Sequence, residues 1–197
     1  MSNARNLANL LGTNTTIQTA KIADNAVTTA KMFSDFQNGI TFAQTWRTSQ
    51  AQSITGGSNT DFTGGWEAQD TDNAPSYGSN MTHSSGVFTF PSTGVYRVDA
   101  NVYMRLTSGT TLAYFELYMK LSTDGGTSYS NTALNIQSIT DSLDYGGMHD
   151  ACLVDVTNTS NVKFKLTGFA QTGHTVQVNG DTGQSYCSLT FTKMSDT

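Results

Sequence analysis

The chain has little charge. Only 13% of its 197 residues are Asp, Glu, Lys or Arg, about half the share of an ordinary soluble domain. There is no basic stripe, and the net charge is −5. Nucleic-acid binding therefore lacks its electrostatic footprint. Cysteine is scarce: Cys152 and Cys187 are too few for a disulfide framework. No apolar run approaches the roughly 20 residues of a membrane span, so no membrane insertion is expected. The start "MSNARNLANLLGTN" shows no apolar signal region and no cleavage site, which predicts synthesis in a cytosol without a secretion signal. With so few charges, the polar surface must be Ser, Thr, Asn, Gln and Gly, a composition that suits β structure.

Catalytic groupings are also missing. His83, His149 and His174 stand in no metal-ligand spacing. "GMHDAC" sets His149 and Asp150 near Cys152, a neighbourhood that could serve a thiol nucleophile. In a strand, however, neighbouring residues point to opposite faces, and Cys152 falls on the core face. A buried, inert thiol is the better reading. No Gly-rich phosphate loop and no nucleophile elbow occur. Asp70 and Asp72 lie in the oxygen-rich "EAQDTDNAPSYGSN", which could take calcium. Its spacing matches no known calcium loop, so solvated turn residues are preferred. The expectation is a protein that is not an enzyme and that has no catalytic residue, metal or cofactor.

What is present falls into three zones. In residues 1–12, Leu7, Leu10 and Leu11 follow Arg5 at helical spacing. Two turns of helix are too short to be stable alone, so these four residues are either an attachment segment that orders against a partner or a disordered tail. In residues 13–37, Ile17, Ile22, Val27 and Met32 fall five apart, and Thr-Ala-Lys at 19–21 returns at 29–31. Five is the period of neither helix nor strand. One copy buries too little to offset its backbone entropy. Three parallel copies, each apolar residue meeting its symmetry mates, would form a stalk; the alternative is a flexible linker.

Residues 38–197 read as all-β. "GVYRVDANVYMRL" puts Tyr96, Val98, Ala100, Val102 and Met104 on one face and Arg97, Asp99, Asn101 and Arg105 on the other. "TLAYFELYMKL" assigns Ala113, Phe115, Leu117 and Met119 inward and Tyr114, Glu116, Tyr118 and Lys120 outward. A turn is expected at Asp124-Gly125-Gly126. Val162, Phe164 and Leu166 alternate with Lys163 and Lys165, and Cys187, Leu189 and Phe191 mark a last strand. "DACLVDV" is apolar on both faces: Cys152, Val154 and Val156 on one, Ala151 and Leu153 on the other. An apolar outer face asks for a partner, so Ala151, Leu153 and Tyr186 are candidates for a trimer interface. Tyr114, Tyr118, Trp46 and Trp66 are aromatic anchors for a sugar or a protein, or are buried where heads meet. Many short strands between Gly, Ser and Asn turns predict a β-sandwich.

"VFTFPSTGVYRVDANVY" carries Phe88, Pro91, Gly94, Tyr96 and Val98 in the pattern F-T-x-P-x-x-G-x-Y-x-V. This resembles the globular head of complement component one q and its tumour-necrosis-factor-like relatives. The resemblance implies a jelly-roll β-sandwich that assembles as a homotrimer. It also implies that one strand separates those of Cys152 and Cys187, about 9.5 Å apart, so free thiols are expected. No Gly-X-Y repeat precedes the head. Residues 21–32, "KIADNAVTTAKM", instead resemble stalk repeats of fibre proteins from tailed phages. The two resemblances together imply a virion structural protein made in the host cytoplasm: a trimeric head-fibre, decoration or small tail-fibre appendage. Its partners would be a capsid or tail protein at the N-terminus and a host-surface glycan or protein at the head. The other reading is a secreted or surface trimeric ligand or lectin-like protein.

Overall fold

Alternating apolar residues and frequent turn residues build thirteen strands and no helix among the described residues. The structure is a computed structural model that describes residues 40–70 and 76–196. The attachment residues Arg5, Leu7, Leu10 and Leu11 lie outside the described residues, as do the stalk residues Ile17, Ile22, Val27 and Met32. Asp72 does too.

The strands are β1 (Ala43–Thr48), β2 (Gln52–Thr55), β3 (Thr60–Asp61), β4 (Trp66–Ala68), β5 (Thr82–Ser84), β6 (Val87–Thr89), β7 (Gly94–Ser108), β8 (Leu112–Ser122), β9 (Ser130–Ile139), β10 (Tyr145–Val156), β11 (Lys163–Ala170), β12 (Thr175–Val178) and β13 (Cys187–Ser195). They form two antiparallel sheets. The first runs β2-β12-β7-β13-β1-β4, with β10 also on β7. The second runs β5-β6-β11-β8-β9, with β3 also on β11. This all-β arrangement is consistent with a jelly roll.

The inner faces bury the expected alternation. Tyr96, Val98, Ala100, Val102 and Met104 of β7 are buried, as are Phe164 and Leu166 of β11 and Cys187, Leu189 and Phe191 of β13. Phe88, Phe90 and Phe164 each meet Phe191 edge-on or tilted at centroid distances of 5.2–5.9 Å, a geometry that favours aromatic pairs. Between Phe88 and Tyr96, Pro91 and Gly94 turn the chain from the second sheet into the first. Gly94 has φ +141°, and a Cβ there would lie 2.6 Å from the Ser195 carbonyl oxygen, so only glycine fits.

Two sequence expectations are corrected. Ala113 is exposed, and Leu112 is buried in its place. Leu112 pairs with Ile139 while Phe115 pairs with Gln137, so β8 carries one extra residue there. That bulge reverses the alternation upstream of Phe115. Trp46 and Trp66 are neither exposed anchors nor surface groups awaiting a neighbouring head: both are buried in the chain's own core. The Trp46 ring meets His83 at 4.9 Å and Phe88 at 5.7 Å. The Trp66 indole donates to the Phe62 carbonyl at 2.7 Å.

Candidate functional site

β7 is long because its alternation persists for 15 residues, and this gives the first sheet a broad outer face. Pairing in register sets its outward residues beside those of β10: Arg97 opposite Leu153, Asp99 opposite Ala151, Asn101 opposite His149, Tyr103 opposite Gly147 and Arg105 opposite Tyr145. One face thus carries a row of side chains that the alternation did not assign to any core.

One end of this face is a tyrosine ladder. Tyr103 and Tyr145 stack with centroids 5.2 Å apart and planes 6° apart, and Tyr186 follows Tyr103 at 5.8 Å. Gly147 opposite Tyr103 has no side chain to separate the rings. The Tyr103 amide donates to the Tyr186 carbonyl at 2.9 Å and fixes the third ring. Arg105 lies 5.8 Å over Tyr145, within range of a cation–π contact. An open depression of about 600 Å³ is lined by Tyr103, Tyr145, Asn179, Ser185 and Tyr186.

The middle of the face is polar. Arg97 grips Asp99 with Nε and Nη2 at 2.7–3.0 Å, and this pairing raises the guanidinium above its ordinary pKa. His149 Nε2 stands 3.7 Å from the same carboxylate. The far end is apolar again. Leu153 is 67% exposed, and a smaller depression is lined by Arg97, Ala151, Cys152 and Leu153.

The structure therefore brings Ala151, Leu153 and Tyr186 to one face. They lie at its two ends, separated along β7 by the six residue steps from Arg97 to Tyr103, about 20 Å. Tyr103 and Tyr145 were missed by the sequence reading. The signal for Tyr103 was present: it interrupts an otherwise polar outer series from Arg97 to Arg105. Nothing in the sequence places Tyr145 against it, because that needs the β7–β10 register.

The thiols do not meet. β7 separates their strands, both cysteines are free, and burial pushes the Cys187 thiol up to about 12. Burial also raises Cys152. The histidines have separate neighbours: His83 against Trp46, His149 near Asp99, and His174 with Nδ1 3.1 Å from the Thr172 carbonyl. Among the described residues no group of three or more His, Cys, Asp or Glu side chains could hold a metal ion.

No family model and no curated protein matches this sequence. Solved structures do. The chain is similar to the Eiger TNF of S. frugiperda, with TM-score 0.56 over 79% of this chain and 94% of that one at 14% identity. It is similar to murine APRIL at pH 5.0, with TM-score 0.54 over 78% of this chain and 98% of that one at 12% identity. The head has a tumour-necrosis-factor-like fold. At such identities the likeness is one of fold alone.

Proposed function

We propose that this chain is a homotrimeric binding protein, not an enzyme, whose tumour-necrosis-factor-like head is displayed on the virion of a tailed phage. It would be a head-fibre, decoration or small tail-fibre appendage. The observation that carries the assembly is the outer face of the first sheet. Leu153 at one end of it is 67% exposed, and at the other end Tyr145 is 53% exposed with Tyr103 stacked on it and Tyr186 on Tyr103; exposed apolar groups of this kind mark contact surfaces.

A three-fold ring closes by heterologous contact, one patch of each copy meeting a different patch of the next. The head has a second patch. Leu134 and Ile136 of edge strand β9 are 48% and 55% exposed. In this reading the β9 edge of one head packs on the outer face of its neighbour. The virion assignment is supported by the repeat at residues 21–32 and its resemblance to phage stalks. A second reading, a secreted or surface trimeric ligand, is favoured by the proteins that share the fold.

Light scattering of the full chain tests the assembly. The expected mass is three times the 21.1 kDa of one chain. Leu153→Asp and Ile136→Asp are each expected to give monomers at micromolar concentration, because an unpaired carboxylate buried at a contact costs several kcal/mol. A monomeric parent chain would overturn the assembly. Immunogold labelling of purified phage particles tests the setting: label on capsids or fibres supports the virion reading, and label only on the producing cell's surface favours the secreted ligand.

A further inference from the structure

Gly147 stands in the middle of a regular strand. β10 pairs with β7 over all 12 of its residues without a register shift, so no bulge accounts for a glycine there. Its φ is not positive, so no turn accounts for it either. A Cβ at Gly147 would meet nothing within 4 Å. Neither the core nor the stacked Tyr103 and Tyr145 rings therefore exclude a methyl group. Glycine weakens a strand interior, and where bulge and bend are excluded it marks a close approach by another chain or a ligand.

The gap opens on the outer face of the first sheet. Gly147 is exposed and lies opposite Tyr103. A depression of about 320 Å³ stands over it, walled by Asn101, Tyr103, Tyr186 and His149. Its lining includes no Asp, Glu, Lys or Arg, so an uncharged, apolar occupant suits it. A side chain seated in such a pocket carries much of the energy of a protein contact.

The same head carries a surface of matching character. β9 ends its sheet, yet "SNTALNIQSI" has neither charge nor proline, the usual protections of an open edge. Ile136 is 55% exposed on it, within the stretch from Ala133 to Gln137 where pairing with β8 is unbroken. Glu116 lies opposite Ile136, and its carboxylate already accepts from the Tyr118 hydroxyl. The acid beside Ile136 thus has its partner within the chain.

We infer that the gap over Gly147 receives Ile136 from the next copy of the head, an inference that rests on the trimeric reading. Height decides which apolar residue arrives. β9 and β10 of one head run side by side: the Asn135 side-chain amide donates to the His149 carbonyl at 2.7 Å, and a Cβ at Gly146 would lie 3.4 Å from the Gln137 side chain. Ile136 therefore stands level with Gly147 and Met148, and Leu134 level with Asp150. Rotation about an axis parallel to these strands leaves height unchanged. The next copy brings its Ile136 to the gap, not its Leu134. Glycine at 147 then sets the height at which neighbouring heads lock.

The test is the dissociation of the trimer on dilution, read by light scattering of the full chain. Gly147→Val fills the gap and should raise the concentration of half-dissociation about tenfold or more, with the far-UV circular dichroism of the parent. Gly147→Ala, whose methyl meets nothing in the chain itself, should act in the same direction and serves if valine disturbs the strand. Ile136→Ala should also weaken the trimer. In the double variant the smaller side chain meets the filled gap, so the loss should be less than the two single losses combined, the mark of residues in contact. Additive losses would show that the two residues do not meet. A trimer unmoved by both Gly147 variants would show that something other than a second head fills the gap. Either result overturns the seat and leaves the trimeric reading standing, whereas a monomeric parent removes both.

Discussion

The Tyr96 hydroxyl closes the turn that precedes its own strand: it donates to the Ser92 carbonyl at 3.1 Å and lies 2.9 Å from Ser92 Oγ. This gives the "FPSTGVY" segment a physical reason. Pro91 restricts the backbone, Gly94 turns where a Cβ would strike the Ser195 carbonyl, and Tyr96 ties the turn to the core while its ring packs on Phe90 at 4.9 Å. Tyr96→Phe keeps the ring and leaves the Ser92 groups without this donor. It should cost about 1–2 kcal/mol, read as a lower urea midpoint at fixed protein concentration. An unchanged midpoint would mean that the hydroxyl contributes nothing to closing the turn.

That segment shows what was legible in the sequence. Period-two alternation identified the inner faces of β7, β11 and β13, because apolar residues recur without a break from Tyr96 to Met104, from Val162 to Leu166 and from Cys187 to Phe191. The same rule failed at Ala113, where a bulge against β9 shifts the phase, and no local residue announces it. It does not reach Trp46 and Trp66: their strands are short, and residue type alone does not separate a surface anchor or a contact between heads from a ring in the chain's own core. The face with Leu153 was legible because "DACLVDV" is apolar on both sides. The tyrosine ladder and the gap over Gly147 were not, since cross-strand neighbours depend on register between segments far apart in the chain.

Cys187 predicts an alkaline weakness. Burial holds its thiol protonated up to about 12, against an ordinary value of 9.0 in the unfolded chain. Between those values the folded state binds more protons than the unfolded state, so stability falls as pH rises through that window, by up to about 1.4 kcal/mol per pH unit. Raised tyrosines at Tyr118 and Tyr129 act in the same direction. The contribution of Cys187 is therefore read as a difference: Cys187→Ala should have a flatter stability profile than the parent above pH 9. Parallel profiles would refute it. Alkylation at pH 8 should likewise spare Cys187 in the folded protein and reach it after denaturation.

Asp124 predicts an acid weakness at one turn. Its carboxylate accepts from Ser128 Oγ at 2.6 Å, from the Ser128 amide at 3.0 Å and from Ser122 Oγ at 2.7 Å. These contacts, the Ser128 hydroxyl foremost, hold its pKa down at about 2. The stabilisation is complete above the ordinary value of 3.8 and is lost as pH falls toward 2. The stability difference between the parent and Asp124→Ala should shrink across that interval. A difference independent of pH would mean the ionised carboxylate is not what organises the β8–β9 turn.

Arg47 makes an ordering prediction for buried charge. Its side chain is 1% exposed and pairs with Glu67 at 2.9 Å and Asp70 at 2.8 Å, which are 32% and 80% exposed. One guanidinium nitrogen, Nη1, has no hydrogen-bond partner among the described residues. The desolvation is therefore borne mainly by the cation. Removing Glu67 strands part of that buried charge, and Glu67→Ala should cost about 3 kcal/mol. Arg47→Met removes the charge itself, keeps an apolar stem in the space, and lets both carboxylates return to water, so its cost should be smaller. Urea denaturation of both variants decides between them. If Arg47→Met proves the more damaging, the guanidinium is held chiefly by its packing and by Asp70, and Glu67 is dispensable to the first sheet.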